Sequence, residues 1–182
     1  MEALKTITYT IDDIYNLPDG ERAELIDGII YNMAPPNRIH QKLVNKLSQK
    51  INNYIDSKKG NCEVYPAPFA VFLNKDDKTY VEPDISVICD PNKLNDKGCN
   101  GAPDWIIEIV SPSSKRMDYM IKLFKYCSSG VREYWIVDPM KNRIMIYNFE
   151  NDSNMEEYTF MDSVKAGIYE DLEIDFSEIA IT

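Results

Sequence analysis

Residues 105–110, Trp-Ile-Ile-Glu-Ile-Val, form a near-continuous apolar run, the pattern of a strand covered on both faces. A single carboxylate, Glu108, interrupts it. A strand of this kind needs packed layers above and below, so the elements around it decide the fold class. An ionised Glu108 in such a strand would cost several kcal/mol unless a cation or a proton met it. The residue therefore predicts a metal or a basic partner if it is buried, or an exposed edge or strand end if it is not.

The flanking segments supply the layers. Residues 39–55 carry Ile39, Leu43, Leu47, Ile51 and Ile55 at every fourth position, which predicts a helix capped by Asn37 and closed by Lys58-Lys59-Gly60. Before it, Thr10-Ile11-Asp12-Asp13 has the side chains of a short helix start. Asp27-Gly28 predicts a two-residue hairpin turn between strands at 22–26 and 29–33. Further strands are expected at 63–73, broken near Pro66 and Pro68, at 83–89 and at 104–110, with a polar loop over 90–103. A second helix should begin near Ser113 or Ser114, with Met117, Met120, Ile121, Phe124 and Cys127 as its apolar stripe and Asp118, Lys122 and Lys125 outside it. Gly130 stops that helix, a hairpin around Asp138-Pro139 follows, and the tail from Asn151 holds another strand or two. This order predicts an α/β sandwich with a mixed central β-sheet flanked by helices.

A chain of 182 residues fits a single domain over 1–182 and can bury roughly two thirds of its unfolded surface. No run of about 18 apolar residues is present, so no membrane span is expected, and the start lacks a signal-peptide layout. A cytoplasmic location follows as an expectation. The four cysteines, Cys62, Cys89, Cys99 and Cys127, form no CxxC pair, and Cys89 and Cys127 lie in apolar segments where reduced thiols pack as small hydrophobes. Neither a zinc ribbon nor a disulfide framework is expected. The net charge of −10 gives a poor global field for counterion-driven nucleic-acid binding, yet is compatible with a cation site.

Asp84 follows Pro83 at the opening of the strand before Glu108. Alone it reads as a turn or strand-start residue. Two neighbouring strands each turning an acid to the same side would instead hold two carboxylates close together, as Mg²⁺ or Mn²⁺ requires.

Several blocks then recur in a characteristic order: ELIDG at 24–28, His40, EPDISV at 82–87, IEIVSPSS at 107–114, Asp118, Lys122, Tyr126, and GVREYWIVDP at 130–139. In this order they resemble the Uma2 family, a divergent branch of the PD-(D/E)xK nuclease superfamily. The resemblance implies a restriction-endonuclease-like core and a Mg²⁺-dependent (or Mn²⁺-dependent) endonuclease acting on nucleic acid, DNA first, as a homodimer where both strands are cut. It implies Asp84 and Glu108 as metal ligands, joined by the carbonyl of Ile109. The sequence departs from the superfamily pattern at Val110, where a lysine is usual, and Lys122 on the next helix fits the displaced lysine better than Lys125. Read alone, Lys122 is more simply a solvated lysine paired with Asp118. Glu24 is a further ligand, a water-holding residue or a salt-bridged strand glutamate. His40 is a base, a partner of a ligand or a structural histidine, and Tyr126 and Trp135 read as core. Rival readings are a non-catalytic binding module on the same fold and another two-carboxylate hydrolase such as a glycosidase.

Overall fold

A computed structural model of the chain describes residues 7–150 and 155–179. Residues 151–154 and 180–182, within the tail expected to hold strands, lie outside it. In chain order the elements are α1 (Ile11–Tyr15), the hairpin β1 (Ala23–Ile26) and β2 (Ile29–Asn32), the long helix α2 (Arg38–Lys58), β3 (Glu63–Pro66), β4 (Val71–Phe72), β5 (Ile85–Ile88), β6 (Leu94–Asn95), β7 (Gly98–Asn100) and β8 (Trp105–Ile109). A π-helical turn at Met117–Lys122 runs into α3 (Leu123–Ser129), followed by β9 (Glu133–Asp138), β10 (Arg143–Asn148), β11 (Glu156–Tyr158), β12 (Ser163–Lys165) and β13 (Glu173–Asp175).

The central sheet has six strands in the order β11-β10-β9-β8-β5-β3. It is mixed, as the sequence predicts: β8 and β9 pair in parallel, whereas β5 pairs antiparallel with both β8 and β3. A parallel pair needs a crossover, and the segment from the π-helical turn through α3 provides it. Strand β8 is covered on both sides. Trp105, Ile107 and Ile109 pack with Leu43, Leu47, Ile51 and Ile55 of α2, while Ile106 and Val110 join Tyr126 and Tyr134 in a second cluster. Alternation along the strand puts Glu108 on the same side as Ile106, beneath the crossover helix.

The hairpin turn forms as expected, with φ of 51° at Asp27 and 78° at Gly28. A Cβ on Gly28 would approach Thr8 Cγ2 to 2.1 Å, so only glycine fits there. Leu25 of β1 bridges Tyr80, which fastens the hairpin to the body beside Ile14 and Ala23. Asn37 caps α2 by accepting from the His40 amide at 2.9 Å, and Lys59 closes it at φ 53°. Among the described residues no helix is long and apolar enough to cross a membrane.

Four expectations are corrected. The stretch 90–103 is not simply a loop, because β6 and β7 form a short hairpin that adds β4 in parallel. Cys89 is not a free thiol. It is disulfide-bonded to Cys62, since the register that sets Glu63 opposite Ile88 brings these two residues together at the next position. Cys127 is exposed and does not pack. The bond closes a separation of 27 residues, so its removal should cost about 3.5 kcal/mol in the chain-entropy account. Urea unfolding of the oxidised protein against Cys62→Ser measures this, and equal midpoints would show that the closed loop contributes nothing.

The largest correction concerns the crossover helix. Of its expected apolar stripe, Met120 (65% exposed), Phe124 (73% exposed) and Cys127 face outward, Met117 and Ile121 are only partly buried against the second cluster, and Asp118, Lys122 and Lys125 are buried. Tertiary electrostatics override side-chain polarity here: Glu108 below attracts the lysine face, and the wide turn at Met117–Lys122 sets that face over the sheet.

Candidate active site

The registers of β5 and β8 build the centre of the site. Ile85 pairs with Ile107, so Asp84, just before β5, meets Glu108 one position on. The contact is reciprocal. The Asp84 amide donates to Glu108 Oε2 at 3.3 Å, and the Ile109 amide donates to Asp84 Oδ2 at 2.8 Å. The two carboxylates expected from the sequence as a pair are therefore neighbours.

Lys122 reaches down from the crossover helix. Its Nζ donates to Glu108 Oε1 at 2.8 Å and lies 2.9 Å from Glu24 Oε2. Lys122 is 5% exposed and Glu108 3%, so this is an interior ion pair and not the solvated pair with Asp118 that spacing alone allows. Tyr126, one turn further along, donates its hydroxyl to the same Glu108 oxygen at 2.6 Å. It is core, as expected, and also a hydrogen-bond partner of the site. Glu24 arrives from β1 and accepts from the Glu82 amide at 3.0 Å, which ties the hairpin to the site. Glu82 in turn accepts from Tyr80 at 2.6 Å and from Arg22.

His40 in the first turn of α2 places Nε2 3.0 Å from Asp84 Oδ2, while its buried Nδ1 has no partner. Lys125 is elsewhere, 2.5 Å from Asp27 at the hairpin turn. Trp135 packs in the α2 cluster.

Asp118 is a member of the site that spacing alone assigned to the solvated surface. It is 1% exposed. Its Oδ2 accepts from Ser114 at 2.5 Å, and its Oδ1 is buried without a partner. With Arg22, Glu24, His40, Asp84, Glu108 and Lys122 it lines a cavity of about 520 Å³.

Burial pushes the Glu108 carboxyl up from the ordinary glutamate range, Lys122 pulls it back, and Asp84, Asp118 and Glu24 reinforce the rise. Burial alone would depress the Lys122 ammonium, but Glu108 and Glu24 hold it well above its usual value. Asp118 is pushed up to about 6, chiefly by burial. Folded Asp118 thus binds protons more tightly than an unfolded aspartate near 3.9, so its contribution to the stability of the metal-free protein should be fully present below about pH 4. It should fall by on the order of 2–3 kcal/mol as pH rises through about 6. Melting curves from pH 4.5 to 7.5 test this, and a slope unchanged in Asp118→Asn would assign it to other groups.

Four carboxylates, Glu24, Asp84, Glu108 and Asp118, line the cavity with one buried ammonium, Lys122, which Glu24, Glu108 and Asp118 hold. That excess of negative charge, with the orphaned Asp118 oxygen, suits a divalent cation. No group of three His, Cys, Asp or Glu among the described residues forms a ready-made cage. Mg²⁺ commonly takes only one or two carboxylates together with water and substrate phosphate.

A family model named Uma2, described as "Putative restriction endonuclease", matches residues 11–177. The chain belongs to the Uma2 family. Among the proteins similar to this Uma2 protein is "Uncharacterized protein slr1290" of Synechocystis sp., 27% identical over 135 residues, which are 74% of this chain and 70% of that one. A solved structure described as a "putative nuclease belonging to DUF820" from Anabaena variabilis superposes with a TM-score of 0.76 at 19% identity, covering 93% of this chain and 96% of that one. The Uma2 protein therefore has the fold of that nuclease-family structure, as the sequence blocks implied.

Proposed function

We propose that this Uma2 protein is an endonuclease that hydrolyses phosphodiester bonds in DNA, with Mg²⁺ or Mn²⁺ held by Asp84, Glu108 and the main-chain carbonyl of Ile109. The observation that carries the reading is the register-matched pair Asp84–Glu108 with Lys122 bonded to Glu108. When bound, the cation would lower the pKa of a water and neutralise charge on the scissile phosphate.

The chain's own groups supply the rest. Lys122 offers a fixed positive charge beside the carboxylate pair, suited to negative charge developing on the phosphate. Glu24 is a second carboxylate on that ammonium, at 2.9 Å. His40 holds Asp84 at the oxygen that also accepts from Ile109. Arg22, Asn37, Gln41 and Ser113 line the cavity and offer donors for flanking phosphates. With the chain at −10 overall, affinity would come from this local donor set.

The test is cleavage of single-stranded, duplex and branched DNA and RNA with Mg²⁺, Mn²⁺ or EDTA, with Asp84→Asn in parallel. Cation-dependent cutting of DNA that falls at least about a hundredfold in the variant is expected. No cutting of any substrate, together with no cation binding by calorimetry, would overturn the reading.

A further inference from the structure

Helix α2 carries charge in a way the rest of the chain does not. No Asp or Glu occurs between Asp27 and Asp56, although the chain holds 30 of them. Within that stretch Arg38, Lys42, Lys46 and Lys50 recur at every fourth residue, and Gln41, Asn45 and Gln49 each stand three residues after one of the first three cations. Residues three apart are neighbours on a helix surface, so each of these cations has a carboxamide beside it. Lys46 is exposed and Lys42 partly so, and neither is ion-paired to a carboxylate among the described residues. The three carboxamides are exposed and hydrogen-bond no other side chain among the described residues.

The carboxamide side borders a groove of about 390 Å³, which Val44 and the end of β3 at Pro66 and Ala67 also line. Gln41 and Ala67 line the cavity of the candidate site as well, so the groove and the cavity meet at these two residues. His40, one residue before Gln41, holds Asp84 at 3.0 Å, which fixes the start of α2 against the carboxylate pair. The other end is closed off by acids. Glu178 takes Lys50 at 2.6 Å and Asp171 takes Lys58, so the stretch open to a ligand is the first three turns, about 17 Å from residue 38 to residue 49.

We propose that this face of α2 is the track along which the DNA strand flanking the cleaved phosphate runs out of the active site; this rests on the nuclease reading above. A polyanion suits it, because the face offers cations and no carboxylate in a chain at −10 overall. A strand coming from the cavity suits it, because the groove shares two wall residues with that cavity. Lys42 and Lys46 contact phosphates, and the carboxamides, which both donate and accept, contact phosphate and sugar oxygens in the groove. Such contacts hold the backbone without reading sequence. The track also offsets the repulsion that the carboxylates of the site exert on a polyanion, by placing attraction next to them.

The experiment follows the anisotropy of a fluorescein-labelled oligonucleotide, single-stranded and as a duplex, over a salt series in Ca²⁺. It compares wild type with Lys42→Gln/Lys46→Gln and with Lys75→Gln/Lys97→Gln, which removes the same charge from two exposed lysines after β4 and in the β6–β7 turn. The α2 pair should bind roughly tenfold or more weakly at about 0.1 M salt, with the log–log salt dependence flattened by about 1.4 for the single strand and about 1.8 for the duplex, while the control pair stays within about twofold of wild type. Wild-type affinity and slope in Lys42→Gln/Lys46→Gln, or equal weakening in both pairs, would overturn the track and leave the nuclease reading to the cleavage assay. A wild type that cuts DNA without salt-dependent binding would do the same. A wild type that neither binds nor cuts would remove both readings.

Discussion

Glu108→Ala should lose at least about a hundredfold in cation-dependent cleavage and unfold at markedly lower urea, by roughly 3–5 kcal/mol for a buried ion pair broken on one side. Two partners make the structural cost large. Lys122 and Tyr126 both donate to Glu108 Oε1; with the carboxylate removed, the buried Tyr126 hydroxyl loses its acceptor and Lys122 keeps only Glu24. Glu108→Gln separates the two effects, because it keeps the volume and an acceptor for Tyr126 while removing the charge. The glutamine variant should recover much of the stability and little of the cleavage. Cation titration by calorimetry, urea unfolding and the cleavage assay together decide the matter. An alanine variant that cuts like wild type would remove Glu108 from the site altogether.

Lys122→Met is the complementary case. Methionine preserves the length of the buried stem, so what is lost is the charge shared by Glu108 and Glu24. Metal-free stability should fall by about 3–5 kcal/mol, because two interior carboxylates lose their cation. Cleavage should fall by on the order of a hundredfold. Cation binding should move the other way: without the ammonium on Glu108, Mn²⁺ should bind more tightly and raise the melting temperature more than it does in wild type. Weaker Mn²⁺ binding in Lys122→Met would show that the lysine supports the cation site and does not compete for Glu108.

The parts of this molecule that obey simple periodicity were readable from the chain alone. Four-residue spacing of Leu43, Leu47, Ile51 and Ile55 describes α2 and the face it buries, and the apolar run at 105–110 describes a strand covered on both sides. The same spacing misleads in the crossover helix. Ser114, Asp118, Lys122 and Tyr126 also recur every four residues, and this polar line is the inward one. Hydrophobicity ranks side chains by their cost in an apolar interior, but Lys122 and Asp118 lie against other charges, whose positions depend on the register of β5 with β8. A line of titratable residues at helical spacing, beside a strand with a lone glutamate, was the available signal. The Cys62–Cys89 bond was unreadable for a related reason, since it depends on which residue of β3 faces which residue of β5. Asp84, Glu108 and Lys122 lie together in the structure, with Glu24 and His40 beside them.

Glu24 stands apart in one respect, because it is delivered by the β1–β2 hairpin while its partners come from the central sheet and the crossover. That hairpin is tied down through Leu25 and Tyr80 and through the Glu24 carboxylate on the Glu82 amide. Loosening it would at once free a carboxylate, strand half the ammonium's counter-charge and open the Arg22 side of the cavity. The exchange rate of the Glu82 amide proton thus becomes a gauge of whether the site is assembled, readable in the intact protein without any substrate.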